Sequence, residues 1–439
     1  MSKEKVNNLD AIYDKDAKIN LLKAFPFGLQ HILAMFVANI TPVIIVAAAC
    51  GLGPADTAMI LQSAMVIAGI GTFIQLFPVW KIGSGLPIVM GISFTFVSLA
   101  CTIGVQYGYG ALMGAVLIGG IVEGVLGLLA KYWIKLVAPI VASTVVTAIG
   151  FSLLSVGASS FGGGTGVSDF GSVNNWILGT VTLVSCILFN IFAKGFLKQL
   201  AVLFGLIVGY ILALFMGMVD FSALEGVRII SLPHFVPFKP EFNANAIIAF
   251  ILIFLVSATE TIGDTSALAA SGLGRDVTEK ETSGSIACDG FVSALSSVFG
   301  CMPITSFSQN VGLVAMTKVV NKYAIATGAF IMVLAGFFPA VGGLLATLPS
   351  AVLGGCTIMM FGTIVVSGVQ MIGKCGFSQR NITIAALSLS VGLGFTQCPE
   401  LFSIFPELVR SVFAENCVAL VFMTAIILNL ILPKNMQQL

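Results

Sequence analysis

The feature that most constrains this chain is a succession of about fourteen apolar elements, several of them long enough, at roughly 20 residues, to cross a bilayer as helices. Apolar residues make up 58% of the 439 positions and charged residues 9%, with a mean hydropathy of +1.06. That balance describes an all-α polytopic membrane protein, not a soluble domain with a large core. The net charge of +1 gives no footprint for nucleic acid. Nine scattered cysteines without a C-x-x-C pair suggest neither a metal site nor a disulfide framework, so no metal or cofactor is expected.

The first seven elements cover residues 25–48, 56–79, 86–103, 109–131, 136–158, 174–194 and 198–218. A polar connection, 219–242, follows. The second seven cover 243–268, 282–299, 301–317, 322–346, 351–373, 380–397 and 416–433. Basic residues orient them. Residues 1–24, with Lys3, Lys5, Lys15, Lys18 and Lys23 and no cleavable signal pattern, read as a cytoplasmic tail. Lys81, Lys131, Lys135, Lys194, Lys198, Arg275, Lys280, Lys318, Lys322, Lys374, Arg380 and Lys434 then fall on the same side. Arg228, Lys239 and Arg410 fall on the other. Both termini, the second being the 434–439 tail, are expected in the cytoplasm of a cell-membrane protein.

An odd number of elements in each half forces the second half to enter the membrane from the opposite side, which predicts an inverted repeat. The third member of each half is interrupted. Pro87 and Pro303 disfavour continuous helix there. Thr305, Ser306, Ser308, Gln309 and Asn310 are packed into six residues before Gly312. Ser93 and Phe94 stand at the matching place in the first half. Short extended breaks at corresponding positions of two halves point to a binding site near the midplane, since non-helical backbone at depth must be buried or line a cavity.

Ionisable residues within the elements are few: Glu123, Glu260, Asp264 and Asp289. Such groups usually face the interior of the bundle. Glu260 and Asp264 are four apart on one helix and share a face. Two carboxylates so placed repel when both are ionised, which suits proton binding and direct hydrogen bonding to a polar ligand. Asp289, between Cys288 and Gly290, reads as a proton site or internal strut. Glu123 reads as pairing with a helix terminus or a lysine. His31 lies beside Gln30 in the first element as a polar partner to the site. Phe94 at the third break could stack on a flat heterocycle.

Gln309-Asn310-Val311-Gly312, then four residues, then Thr317-Lys318 resembles the signature Gln/Glu-Asn-x-Gly-x4-Thr-x of the nucleobase–ascorbate transporter family. Gln30-His31, Gly91-Ile92-Ser93-Phe94, Thr259-Glu260 and Asp289-Gly290 fit the same family in order. The likeness runs from about residue 20 to residue 430 and is closest to bacterial xanthine and urate permeases. It implies a homodimeric secondary transporter that moves a core domain (25–135 and 243–350) against a gate domain (136–218 and 351–433). It further implies that Glu260 and Gln309 hydrogen-bond the nucleobase edge and that Phe94 stacks on the ring. Backbone amides near Phe94 and Ser308, beside Ser93, would complete the cradle. His31 would orient the site, Asn310 would shape the break, and Asp289 would share in proton coupling with Glu260 and His31. Asp264 stands where some uracil carriers have histidine, so its part in coupling is open.

Gln309, where uracil carriers have glutamate, favours an oxidised purine: an amide offers both a donor and an acceptor. The expected function is therefore purine import, xanthine before urate or uracil, by symport with protons rather than sodium. A facilitator or anion carrier on the same fold is the rival, and buried acids at the site argue against an anion path. An intramembrane enzyme is a poor fit. Gly263-Asp264 lacks the Gly-x-Gly-Asp of intramembrane aspartyl proteases, because Thr261 stands at the first glycine.

Overall fold

A computed structural model describes residues 9–134, 137–164, 166–224, 230–414 and 416–433. Lys3, Lys5, Lys135, Arg228 and Lys434, with parts of both predicted tails and of the 219–242 connection, lie outside the described residues. The first half runs α1 (Leu21–Ala49), α2 (Pro54–Leu76), β1 (Met90–Ile92), α3 (Val97–Tyr107), α4 (Tyr109–Leu128), the short α5 (Ala130–Trp133), α6 (Pro139–Phe161), α7 (Val173–Phe192), the short α8 (Phe196–Gln199) and α9 (Ala201–Phe215). The second runs α10 (Ala244–Leu273), α11 (Glu279–Val298), β2 (Ile304–Ser306), α12 (Ser308–Thr317), α13 (Lys322–Gly336), α14 (Pro339–Ala346), α15 (Ser350–Lys374), α16 (Gln379–Thr396), α17 (Glu407–Phe413) and α18 (Cys417–Ile431).

Helix falls within every predicted element. By length and apolarity seven helices among the described residues can each cross a membrane: α1, α2, α4, α6, α7, α10 and α15. An eighth crossing exists if α13 and α14 form one broken span. Helix length therefore does not by itself establish fourteen spans. The stretch 322–346, expected as one element, is two helices bent by 82°. Pro339 opens α14 and holds Phe338 in extended backbone, at φ −106° and ψ 96°. A proline ring at that point excludes αR from the residue before it.

The packing repeats when the two halves are exchanged. Helix α1 packs on α13 as α10 packs on α4, α2 on α13 as α11 on α4, and α7 on α9 as α16 on α18. The halves meet at their breaks. Strands β1 and β2 pair antiparallel with Met90 opposite Ser306, Gly91 opposite Thr305 and Ile92 opposite Ile304. Equivalent strands that run antiparallel are what an inverted repeat produces at its own axis.

The outer edges of these two buried three-residue strands need partners from outside the sheet. Helix side chains supply them. Met90 N donates to Thr72 Oγ1 at 2.9 Å, Ile92 N to Asn39 Oδ1 at 2.9 Å, and Ile304 N to Ser293 Oγ at 3.0 Å.

Close approach of α4 and α11 holds this centre from behind. A Cβ added at Gly290 would lie 2.1 Å from Gly124 N and 2.7 Å from Gly120 O. Both obstacles are backbone, so neither can rotate away. Gly290→Ala is expected to push the helices apart at a cost of about 1–3 kcal/mol. It should lower the thermal midpoint of the detergent-solubilised protein; an unchanged midpoint would show that the helices have slack here.

Candidate functional site

A cavity of about 340 Å³ opens beside the strand crossing. One wall is built from α1, β1 and the turn after it, α10, β2 and the start of α12. The other comes from α6 and α15, with Asn190, Lys198 and Val202 of the α7–α9 region. The volume falls in the range of small-molecule sites.

Local sequence explains the shape of the first wall. Ser93 caps a 3-10 turn, Phe94–Phe96, accepting from Thr95 N at 3.3 Å. Its own N–H donates to Pro303 O at 3.0 Å, carrying the strand pairing one step past β1. On the other half, Phe307 precedes α12 and offers no side-chain cap. The N–H groups of Ser308 and Gln309 have no hydrogen-bond acceptor among the described residues. A helix start leaves such donors free and carries partial positive charge. They sit at the cavity wall.

Side chains complete it. Glu260 is half-buried and is the one carboxylate lining the cavity among the described residues. Thr95 Oγ1 donates to its Oε2 at 2.6 Å. Gln309 is half-buried on the same wall, and its amide makes no hydrogen bond to the described residues. Phe94 lies in the wall with its ring edge-on to Phe361 of α15, 5.3 Å between centroids at 82°. Ser93 and Ser308 also line the cavity.

Four other predicted residues stand behind this wall. Asp264 is buried and accepts from Ser308 Oγ at 2.7 Å and Ser306 Oγ at 3.1 Å. Its carboxyl is held by two hydroxyls of its own half, on β2 and at the start of α12, and it does not line the cavity. Asp289 is fully buried. Its Oδ2 accepts from Thr261 Oγ1 at 2.5 Å, Thr305 Oγ1 at 3.0 Å and Ser306 N at 3.4 Å. Its Oδ1 accepts from Gln75 Nε2 at 3.1 Å. These bonds tie α10 and α2 to β2 through one carboxylate. His31 and Asn310 are both buried. Asn310 Nδ2 lies 3.2 Å from His31 Nδ1 and donates to His31 O at 3.0 Å. This pair ties α1 to α12 behind the Gln309 side chain.

Sequence reading did not single out Thr95, Gln75 or Asn39, all of which hold site residues or strands. Each is an ordinary polar residue in or beside an apolar helix. Its role comes from a contact across the fold, for which the sequence carries no local signal.

Comparison with known proteins identifies the family and the fold. A family model described as the permease family matches residues 22–401. The chain is 34% identical to xanthine permease XanQ of Escherichia coli K12, an alignment that covers 98% of this chain and 95% of that one. It is 36% identical to uric acid permease PucK of Bacillus subtilis 168, covering 93% and 95%. Among solved structures, the transmembrane domain of the cyanobacterial bicarbonate transporter BicA has a TM-score of 0.56 at 16% identity, covering 94% of this chain and 98% of that one. SLC26A9 has a TM-score of 0.59 at 14% identity, covering 91% and 64%. These two likenesses show the fold alone. Matched along nearly its whole length, this multi-pass membrane transporter belongs to the permease family of the nucleobase–ascorbate transporters.

Proposed function

We propose that this permease imports an oxidised purine, xanthine in the first place, together with protons. The observation that carries the reading is the convergence at one cavity of the Glu260 carboxylate, the Gln309 amide, the free N–H groups that open α12 and the Phe94 ring. An oxidised purine is flat, and its edge alternates N–H donors with carbonyl acceptors. A carboxylate takes the donors, helix-start N–H groups take the carbonyls, and an amide serves either. Buried groups matched this way reject a base that leaves them unpaired. Likeness to relatives named for xanthine and for uric acid supports urate as the second substrate.

Glu260, Asp264, Asp289 and His31 form the group through which protons would couple to the purine. The cavity lies where elements of the expected core (α1–α5 and α10–α14) face elements of the expected gate (α6–α9 and α15–α18). A purine held mainly by the first set would cross as the core moves along the gate, in the manner of an elevator. Lys198 at the cavity lies on the side that the basic residues mark as cytoplasmic, so this conformation would be open inward. The expected assembly is a homodimer in the cell membrane.

Uptake of labelled xanthine by bacteria lacking their own purine carriers tests the reading, with unlabelled urate, guanine, hypoxanthine and uracil as competitors. Xanthine and urate should compete most strongly. Absence of xanthine uptake by protein present in the membrane would overturn the assignment. Gln309→Glu replaces a group that donates and accepts with one that only accepts when ionised. It should weaken xanthine uptake roughly tenfold or more, as loss of one site hydrogen bond does, and admit uracil. Unchanged selectivity would contradict the role given to the amide.

A further inference from the structure

The sequence suggests a helix terminus or a lysine as partner for Glu123 of α4, and the structure provides neither. The residue is fully buried, and neither carboxyl oxygen has a hydrogen-bond partner. Ser257 of α10 stands close enough for its hydroxyl to act on the carboxyl, yet neither group has a partner in full hydrogen-bonding geometry among the described residues. Both side chains are therefore orphans in the middle of the packed α4–α10–α11 group.

The other buried acids are different. Asp289 accepts from four donors, Asp264 from two and Glu260 from one. An ionised carboxylate without any donor is the most expensive state a buried acid can take. A neutral Glu123 avoids that state and holds a proton to give. The charged groups near enough to act on it electrostatically are Asp289 from α11 and Glu260 from α10. Helix α3 carries no charged residue, and Lys131 of α5 is exposed.

Ser257 is three residues before Glu260 on α10, so the two side chains are neighbours on one face. We propose that Glu123 and Ser257 form a proton relay that ends on Glu260. Turned between the two acids, the Ser257 hydroxyl accepts the Glu123 proton on its oxygen and gives its own hydrogen to the Glu260 carboxylate. One O–H bond breaks on Glu123, one forms on Glu260, and the serine is unchanged. The new Glu123 carboxylate then accepts a hydrogen bond from the same hydroxyl. This inference rests on the reading of the protein as a proton symporter.

The test compares wild type, Glu123→Gln and Ser257→Ala in proteoliposomes. Two quantities are read: xanthine accumulation under an inside-negative potential, and exchange of labelled for unlabelled xanthine with no driving force. One coupled charge at 100 mV supports a roughly 50-fold accumulation by wild type. Both variants are expected to exchange xanthine as wild type does, to accumulate it only to about the external concentration, and to lose the pH dependence of accumulation. Variants that accumulate like wild type with the same pH profile would overturn the relay. So would variants that lose exchange as fully as accumulation, since the two residues would then serve binding or packing. If Glu123→Gln does not reach the membrane, Ser257→Ala decides alone, because it removes one small hydroxyl with no partner. Failure of wild type itself to accumulate xanthine would instead overturn the symport reading.

Discussion

Glu260→Gln is expected to abolish concentrative xanthine uptake while the protein remains in the membrane at normal abundance. Glu260 is the carboxylate that the cavity presents to a ligand, and Thr95 Oγ1, donating at 2.6 Å, fixes its orientation. Glutamine has the same length, so packing survives. Its NH₂ group, however, cannot accept: turned toward the purine N–H donors it sets donor against donor, and turned toward Thr95 it leaves a single neutral oxygen where the carboxylate offered a charged one. A charge-assisted hydrogen bond of about 3 kcal/mol is lost, equivalent to a roughly 100-fold fall in affinity. The proton-accepting group facing the ligand is lost with it. Surface labelling measures abundance and labelled-xanthine uptake measures function. Near-normal uptake by this variant would remove Glu260 from the site.

Asp289→Ala should act by a different route, through stability. The aspartate gathers the Gln75 amide, two threonine hydroxyls and the Ser306 N–H. Gln75 also holds the turn before β1, accepting from Ser84 N at 3.0 Å and Ser84 Oγ at 2.8 Å. Removing the carboxylate leaves several buried donors unpaired at the point where the two halves cross. The expected cost is on the order of 3–5 kcal/mol. Both the melting midpoint of the solubilised protein and its uptake should fall. Asp289→Asn keeps one acceptor oxygen and should fall between the two. Normal melting with lost uptake would show that Asp289 acts in proton transfer and not as a strut.

The sequence showed the helices more clearly than the contacts between them. Element limits fall near the observed ones because an apolar run and its ends are local properties. The breaks at Pro87 and Pro303 were legible for the same reason. Proline alone was an incomplete guide, since Pro26 and Pro42 lie within the continuous α1 while Pro339 opens an 82° bend. What decides is whether neighbouring helices leave the bent path room, and that is set by the fold. Strand register was not legible either. Gly91 meets Thr305 across more than two hundred residues, with no local pattern to announce it.

The site divides in the same way. Four residues along a helix are about 6 Å and roughly 40° of rotation. That offset is enough to put Glu260 at the cavity and to sink Asp264 between Ser306 and Ser308. Sharing a face could not separate a ligand-facing acid from one tied off inside the core. Glu123 shows the converse. Its place near a helix end suggested a partner, and only the packing of α4 against α10 and α11 shows that it has none.

Coupling of a purine to protons is the property on which the proposed function turns. Its most direct test is xanthine uptake by purified protein in sodium-free proteoliposomes, alkaline and electrically negative inside. Accumulation above the external concentration that collapses on adding a protonophore is the predicted result. Xanthine that equilibrates but never concentrates, or that concentrates only when sodium is supplied, would contradict it.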